Sequence, residues 1–471
     1  MAMKDLINQL RSALGDKAVI ADTPDTAPFE TDWRRLHNHK AVCVVLPETP
    51  AQVAAVLRLA AAAGVKIVPQ GGNTGLVAGG VPVAGAAQIV MNLRRMNKIR
   101  ALDATGDTIT VEAGVTLQEV QEAAARAGRL FPVSLAAEGT AQIGGVISTN
   151  AGGIQVLAYG SMRAQVLGLE VVLADGRIWH GLRVLRKDNT GFDLKQMFIG
   201  GEGLLGIITA AVLRLHPAAT AHATAMVGVP NIYAAVGVFK AVQTKAGQAL
   251  TACEFITANA MAVGLAHRPT LRLPFTAANY VLVEITTPTP GQAVDELLAS
   301  ALEPLLEDGT ASDAVVAQSE RERADLWRIR ETLSDGELAA GGSVKHDISV
   351  PIADIPAVVA AVETLIAQQF PGMRLNIFGH LGDGNLHVNV RPPAGRSLAD
   401  IASQKNAITA AVEDLAMTFA GSFSAEHGIG QMRIEGMAAH KSAVELDMMR
   451  ALKNALDPAG LLNPGKMLPV P

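Results

Sequence analysis

Cysteine is almost missing from this 471-residue chain: Cys43 and Cys253 are the only two, and they lie far apart. A disulfide framework is not expected, and a reducing, cytoplasmic setting fits. Aromatic residues are scarce at 4%, no Lys/Arg run stands out, and the net charge is −5. That balance speaks against bulk nucleic-acid binding. No uninterrupted apolar run reaches the ~18 residues of a membrane span. The N-terminus carries Asp5 and lacks the apolar region of a signal peptide, while Leu6, Ile7, Leu10 and Leu14 follow helical spacing.

Glycine, by contrast, is abundant at 45 residues, and the length implies two or three domains. Ala41–Leu46 reads as a buried strand. A helix follows, with Thr49 as N-cap, Pro50 in the first turn and Gln52 completing a capping box; it stops at Gly64 before the strand Val65–Pro69. Further strands are expected at 87–93, 108–113, 168–174 and 207–215, with a helix at 117–127. Pro217 closes this first region. From 218 to 420 apolar strands (280–285, 375–378) alternate with helical stretches (291–306, 353–368, 399–419). That pattern predicts an antiparallel sheet with helices on one face. A helix at 443–456 lies in the last segment, 421–471. The fold class is therefore α+β.

Three glycine-rich segments suit a large flat ligand with a phosphate. Pro69-Gln-Gly-Gly-Asn-Thr-Gly-Leu76 follows a strand directly and can turn successive N–H groups toward one anion. No Gly-Lys-Ser/Thr follows, so it is not a P-loop. Gly139-Thr140, Gly144-Gly145 and Ser148–Gly153 permit close backbone approach. Gly201-Glu-Gly-Leu-Leu-Gly206 matches the dinucleotide fingerprint only in letters. The β-branched Ile207–Leu215 that follows is strand-like, which argues against a nicotinamide Rossmann site.

Near the C-terminus, His380-Leu-Gly-Asp-Gly-Asn-Leu-His387 has the logic of a hairpin. If the strands reflect about Asp383-Gly384 in a type I′ turn, His380 faces His387, with Cβ atoms about 4.5–5.5 Å apart. The two imidazoles could then share one ion, with Glu426 as a third ligand and His427 beside it as a base. Adjacent residues of an extended segment face opposite ways, so Glu426 and His427 must lie in a turn; Gly428 and Gly430 permit one.

Together, Pro69–Leu76, Ile143–Gly153, Tyr159-Gly160-Ser161, Gly168–Gly176, Lys187–Gly191, His380–His387, Glu426-His427-Gly428 and Leu462–Lys466 resemble the vanillyl-alcohol oxidase superfamily. Within it they resemble the FAD-linked D-2-hydroxyacid dehydrogenases. The likeness runs from Ala21 to Leu468. It implies an FAD-binding domain over 1–217, a substrate domain over 218–420, and a segment over 421–471 that returns to complete the active site. Pro69, Gly71, Gly72, Asn73, Thr74, Gly75 and Leu76 would hold the pyrophosphate of non-covalent FAD. Gly139, Thr140, Gly144, Gly145, Thr149, Asn150 and Gly153 would line the cofactor's length. Glu202 and Ile207 would flank its adenine, and Asn463 would approach the isoalloxazine. His37 and His39 lack the spacing for a covalent tether.

The same resemblance gives His380, His387 and Glu426 a divalent metal, usually zinc, and makes His427 the base that takes the hydroxyl proton before hydride passes to FAD. Arg330, Ser334, Lys345 and Asn389 would contact substrate. Arg330 and Ser334 share a helix face at four-residue spacing, and Lys345 faces away from Val344, His346 and Ile348 on a strand. Arg321, Arg323 and Arg328 read as solvated neighbours. Two fixed cations suit a dicarboxylate, since a second buried charge without a partner would be costly. D-2-hydroxyglutarate, oxidised to 2-oxoglutarate, is thus the expected substrate, with D-malate, D-lactate and glycolate as alternatives. A metal-dependent hydrolase and a non-catalytic flavin-binding subunit are the competing readings. The expected partners are an electron-transfer flavoprotein or a quinone-linked carrier and a second copy in a homodimer, with no nucleic acid and no transmembrane segment.

Overall fold

The computed structural model describes residues 3–470, which divide into two compact units. The first comprises Met1–Gly153, Gly160–Ala218 and Glu426–Pro471, the second Ile154–Tyr159 and Ala219–Ala425. Residues 421–425 stay with the second unit, because Ser422 pairs with Ser349 and Ser424 with Asp347.

In the first unit, Thr49 accepts from the Gln52 N–H and caps the helix Pro50–Ala63, which ends at Gly64 in a left-handed conformation. The capping box is displaced by one residue: the Gln52 carboxamide accepts from the Glu48 N–H rather than from that of Thr49. The flanking strands Cys43–Val45 and Lys66–Gln70 both run parallel to Gln88–Asn92, which lies between them. A second, antiparallel sheet has the order Ile99–Asp103, Thr108–Glu112, Ile207–Arg214, Val166–Val172, Ile178–Gly181. The strand at 207–214 confirms that the fingerprint-like Gly201–Gly206 opens a strand, not a helix. The C-terminal chain returns to the first sheet, where the Ile67 N–H bonds to the Leu461 carbonyl and the Asn463 N–H to that of Ile67.

The second unit is built on a seven-stranded sheet, all of whose strand pairs are antiparallel. Its order is Asp313–Val316, Ala221–Val229, Asn279–Thr287, Leu250–Thr257, Arg374–His380, Asn385–Arg391, Val344–Ser349. One face packs Val227, Phe255, Val283, Ile377, Val388 and Ile348 against Phe239, Leu298, Val358 and Ile408 of the helices 232–246, 294–307, 355–369 and 405–418. Each such side chain contributes about 1.5–3 kcal/mol by leaving water. The helices Ala258–His267 and Glu320–Ala339 add a smaller cluster on the other face, around Met226, Ile256, Leu282 and Phe378. That second layer refines the one-sided arrangement expected from the sequence. The span Ile352–Gln369 is long and apolar enough to match a membrane helix by composition. It does not stand out as an uninterrupted apolar run, because Asp354 and Glu363 lie within it. Its Ile355, Val358, Val359, Val362 and Ile366 are buried in the core just described.

The two helices of the smaller layer cross at glycines. A Cβ on Gly336 would lie 2.7 Å from both Gly264 Cα and Val263 O. Gly336→Ala must therefore push the helices apart, and we expect it to cost about 1–3 kcal/mol, as overpacking does. A thermal midpoint unchanged from the parent would show that the crossing can open without loss.

Candidate active site

Alternation along the strands sorts chemistry from core. Val344, Ile348, Val388, Val390 and Ile377 point into the large hydrophobic cluster. The residues between them face the other way. Lys345 lies opposite Asn389, which lies opposite Asn376; Asp347 lies opposite His387, which lies opposite Phe378; His380 lies opposite Glu254. One sheet face thus carries both histidines and two of the expected substrate residues.

The hairpin joining the histidines differs from the reflected two-residue turn. Leu381–Gly384 form a four-residue connection in which Gly384 has φ 87, while Asp383 keeps a negative φ. His387 accordingly faces Phe378 and not His380. The slip is two residues, and a two-residue slip keeps every side chain on its face. The imidazoles therefore still meet diagonally, with ring centroids 5.6 Å apart at a steep angle.

Each histidine is backed by a carboxylate on the neighbouring strand. His380 Nδ1 donates to Glu254 Oε1 at 2.7 Å, and His387 Nδ1 lies 3.7 Å from Asp347 Oδ1. Asp347 is itself fixed by the Asn385 amide at 2.8 Å. At His380, spending Nδ1–H on a carboxylate puts the lone pair of a neutral imidazole on Nε2, which is how metal-ligating histidines are oriented. The donor set fits a divalent ion.

The helix Glu320–Ala339 lies across this face and touches the strands in their spatial order. Arg323 and Trp327 bond to Glu284 on the strand Asn279–Thr287. Arg330 Nε donates to Glu254 Oε2 at 2.8 Å on the next strand. Glu337 then accepts from Asn376 at 3.1 Å and Asn389 at 2.7 Å. These positions recur every three to four residues, along one helix stripe. Ser334 belongs to the same stripe and is exposed. Arg323 is paired with a buried carboxylate and is not the solvated neighbour expected from the sequence.

Glu254 is fully buried, which alone would raise its pKa, but His380 and Arg330 reverse the sign and hold its carboxyl at about 2. Arg330 also stacks on Phe378, 5.0 Å from the ring centre. Burial pushes the Glu337 carboxyl up, opposed by Lys345, whose Nζ is 3.8 Å from Glu337 Oε2. Both expected substrate cations thus already have carboxylate partners. A lack of partners for these cations is therefore no reason to require a dicarboxylate, contrary to the expectation from the sequence.

In the first unit, the three glycine segments come together. A Cβ on Gly72 would sit 1.8 Å from the Thr140 carbonyl oxygen, one on Gly203 2.5 Å from Pro69 Cγ, and one on Gly153 1.9 Å from the Ser134 carbonyl oxygen. Only a residue without a Cβ can approach its neighbours so closely. Among the described residues, none of the backbone N–H groups from Gly71 to Leu76 donates a hydrogen bond. Asn73, in a left-handed conformation, is anchored through its amide to Thr31 O, and Asn92 holds the Gly71 carbonyl. A preformed loop with unspent donors fits a pyrophosphate.

Several other expected cofactor residues have structural duties. The Gly144 N–H bonds to Ala113 O, and a Cβ there would lie 2.8 Å from that of Ala113. Gly145 has open space beside it, and a Cβ on Gly139 would lie 3.0 Å from the Gln118 amide oxygen. Thr149 Oγ1 bonds back to Gly145 O. Asn150 Oδ1 accepts from Ser161 and the Arg163 N–H. Ile207 is 1% exposed in a hydrophobic cluster. The Glu202 carboxylate accepts from the N–H groups of Ile429 at 2.7 Å and Gly430 at 2.8 Å. Asn463 binds the carbonyls of Gly79 and Glu202 and accepts from Lys466. Lys466 is 2% exposed, and burial pulls its amine down to about 7 against Glu202.

Glu426 and His427 open the closing segment of this unit, directly after Ala425, whose N–H bonds to the Asp347 carbonyl. The backbone bends through 425–427, and Gly428 has φ 77, the turn that the sequence required. Sequence reading missed Glu254, Glu337, Asn376 and Asp347. A signal existed for two of them: Glu254 interrupts the apolar Ala252–Ile256, and Asn376 interrupts Leu375–Phe378. Buried polar residues in apolar strands need partners.

Glu254→Gln should disturb both sides of its bond, since a carboxamide cannot accept from two donors without turning its own N–H₂ on one of them. If His380 ligates a divalent ion, a zinc probe should bind about 10–100-fold more weakly to the variant, measured by competition with a chromophoric chelator. Breaking the buried pair should also cost about 3–5 kcal/mol of stability. Undiminished zinc affinity would show that Glu254 does not orient His380.

Comparison with known proteins places the chain in a family. Residues 218–467 match the family "FAD linked oxidases, C-terminal domain", and residues 41–181 match "FAD binding domain". A protein named D-2-hydroxyglutarate dehydrogenase from Xanthomonas citri pv. viticola is 37% identical, over 98% of this chain and 96% of its own. The mitochondrial protein of that name from Bos taurus is 36% identical, over 96% of this chain and 81% of its own. Solved structures of p-cresol methylhydroxylase (TM-score 0.77, 17% identity, 98% of this chain and 96% of that one) and alkyldihydroxyacetonephosphate synthase (TM-score 0.73, 18% identity, 98% and 84%) share the fold. The chain belongs to the FAD-linked oxidases: it is an FAD-dependent dehydrogenase with the vanillyl-alcohol oxidase fold.

Proposed function

We propose that the enzyme oxidises a D-2-hydroxy acid to the 2-oxo acid, with D-2-hydroxyglutarate as the substrate and 2-oxoglutarate as the product. The observation that carries this reading is one sheet face on which two carboxylate-backed histidines lie beside Arg330, Lys345 and Asn389. The name borne by the full-length relatives supports the choice of substrate.

In this reading His380 and His387 present Nε2, and Glu426 presents its carboxylate, to a divalent ion, zinc first among the candidates. Bound there, the ion would lower the pKa of a chelated 2-hydroxyl group. The loop 71–76 would hold FAD non-covalently, and the flavin would supply the acceptor for the C2 hydride. The protein's own part is to bind, orient and move a proton. His427 takes the hydroxyl proton at its imidazole. Chain continuity supports its company: Glu426 and His427 follow Ala425, tied to Asp347, and Asp347 lies opposite His387.

Arg330 spends Nε on Glu254, so the donors that remain for a substrate carboxylate are those of its terminal amino groups. Asn389 gives its amide N–H to Glu337, which leaves its oxygen as an acceptor. Lys345 is the looser cation, its side chain 36% exposed, and is the group to meet a distal carboxylate. Ser334 supplies a hydroxyl from the helix above. A second reading, a monocarboxylate such as D-lactate, draws support from the prior pairing of Lys345 with Glu337. The acceptor would be an electron-transfer flavoprotein or a quinone-linked carrier, and the working state a cytoplasmic homodimer. The free thiols of Cys43 and Cys253 suit such a compartment.

Dye-linked turnover of D-2-hydroxyglutarate, D-malate, D-lactate and glycolate tests the reading. Lys345→Ala should raise KM for D-2-hydroxyglutarate about tenfold or more and leave D-lactate unaffected, which corresponds to about 1.4 kcal/mol. Equal losses on both substrates would remove Lys345 from the distal site. Removal of the metal should abolish turnover of all four acids, and full activity after verified removal would sink the ligand assignment.

A further inference from the structure

We propose that Glu202 is a positioning residue for His427, through which the flavin-binding loops hold the segment that follows the base. The inference rests on the assignment of His427 made above. All its contacts lie within the first unit.

The residues after His427 are fixed one by one. Gly428 has φ 77, and a Cβ there would stand 2.7 Å from Glu202 Oε1, so this position admits no side chain while the carboxylate stays in place. Ile429 N–H donates to one oxygen of the same carboxylate and Gly430 N–H to the other. Two consecutive N–H groups converging on one anion form a rigid clamp, because both oxygens are spent. Glu202 is 8% exposed, where such bonds are costly to leave unmade.

Glu202 is itself held from two sides. Its N–H bonds to the Ser148 carbonyl at the end of the helix Ile143–Ser148. Its carbonyl accepts from the Asn463 amide at 2.7 Å, and its backbone adopts a left-handed conformation with φ 46. That conformation is unfavourable for a glutamate unless its surroundings compel it. On the far side, Gln431 N–H bonds to Val77 O, and its amide bonds to Ala78 O and Val81 O just beyond the loop 71–76. Met467 N–H closes the ring by bonding to Gly430 O. Glu202, the stretch 77–81 just after the first glycine loop, and the C-terminal loop thus grip residues 428–431, and through them fix where the chain leaves His427.

The nearest alternative role for Glu202 is to hold the flavin loop together with no bearing on the base. Flavin stoichiometry, kcat and KM separate the two when measured on full-length Glu202→Gln enzyme reconstituted with FAD. A glutamine keeps one acceptor oxygen but turns an N–H₂ toward the other backbone donor. The positioning role predicts full flavin content and a loss of about 10–100-fold in kcat with KM within about twofold, as for a small displacement of a reacting group. Gly428→Ala presses on the same carboxylate from the other side and should give the same kcat-limited loss. It decides between the two roles if Glu202→Gln does not fold. In a His427→Gln background the residual turnover should no longer respond to Glu202→Gln.

An activity loss that merely follows flavin loss would overturn the proposal, as would unchanged kcat in either single variant. If His427→Gln alone retains full turnover, the assignment of the base has failed, and the positioning role falls with it. If His427→Gln is inactive while Glu202→Gln is normal, only the positioning role has failed.

Discussion

The buried carboxylate of Glu254 is the contact on which the sheet face carrying the two histidines depends. It joins a strand, a hairpin and a helix at one point: Oε1 takes the Nδ1–H of His380, and Oε2 takes Nε of Arg330. Burial opposes its charge, and the two donors outweigh burial. A single carboxylate thereby sets the tautomer of one histidine and the orientation of one guanidinium. The pattern repeats along the helix Glu320–Ala339, which sits on Glu284 before Glu254 and reaches the amides of Asn376 and Asn389 through its own Glu337. Such pairs are seldom the most stable way to fill a space. Their effect is to fix one register of helix on sheet.

The elements legible in the sequence were those whose signal is local. The apolar stretches at 207–215 and 280–285, the Thr49 cap and the Gly64 stop became the expected elements. The glycine segments were also legible as close-approach loops, because a missing side chain is a local fact. The register of the 380–387 hairpin was not. Asp383-Gly384 suggested a two-residue turn, yet register answers to the pairing of Arg374–His380 with two neighbouring strands at once. The histidines survived the error because strand parity, not turn type, decides which face they share. Glu254 lies 126 residues from His380, and Glu202 lies 227 from Ile429. Nothing in local spacing could pair them.

Charge compensation changes the account of specificity. Arg330 and Lys345 resemble an anion trap when read as two cations in a sequence. In the fold each has a carboxylate, Glu254 and Glu337, and the two pairs differ. Arg330 is held at 2.8 Å with its side chain 10% exposed, whereas Lys345 stands 3.8 Å from Glu337 and is 36% exposed. The first pair behaves as a fixed fork and the second as a cation that can turn to another partner. Discrimination between di- and monocarboxylates would then come from what Lys345 gains by leaving Glu337, a difference of two pairings and not the worth of one.

Side chains and backbone share the task of placing reactive groups in opposite ways in the two units. On the sheet of the second unit, precision comes from side-chain pairs, and the apolar residues alternating with them supply the stability that such burial consumes. In the glycine loops of the first unit, precision comes from backbone contact, as where Gly72 meets the Thr140 carbonyl and Gly430 that of Val77. A loop built this way has little side-chain entropy to lose on folding, but each glycine loses more backbone freedom than another residue would. That cost is tolerable only where many contacts fix the loop at once. Residues 428–431 meet this condition, being bonded to Glu202, Val77, Ala78 and Met467 together. The bend after His427 can be held steady because Gly428 and Gly430, flexible in themselves, are given no room to move.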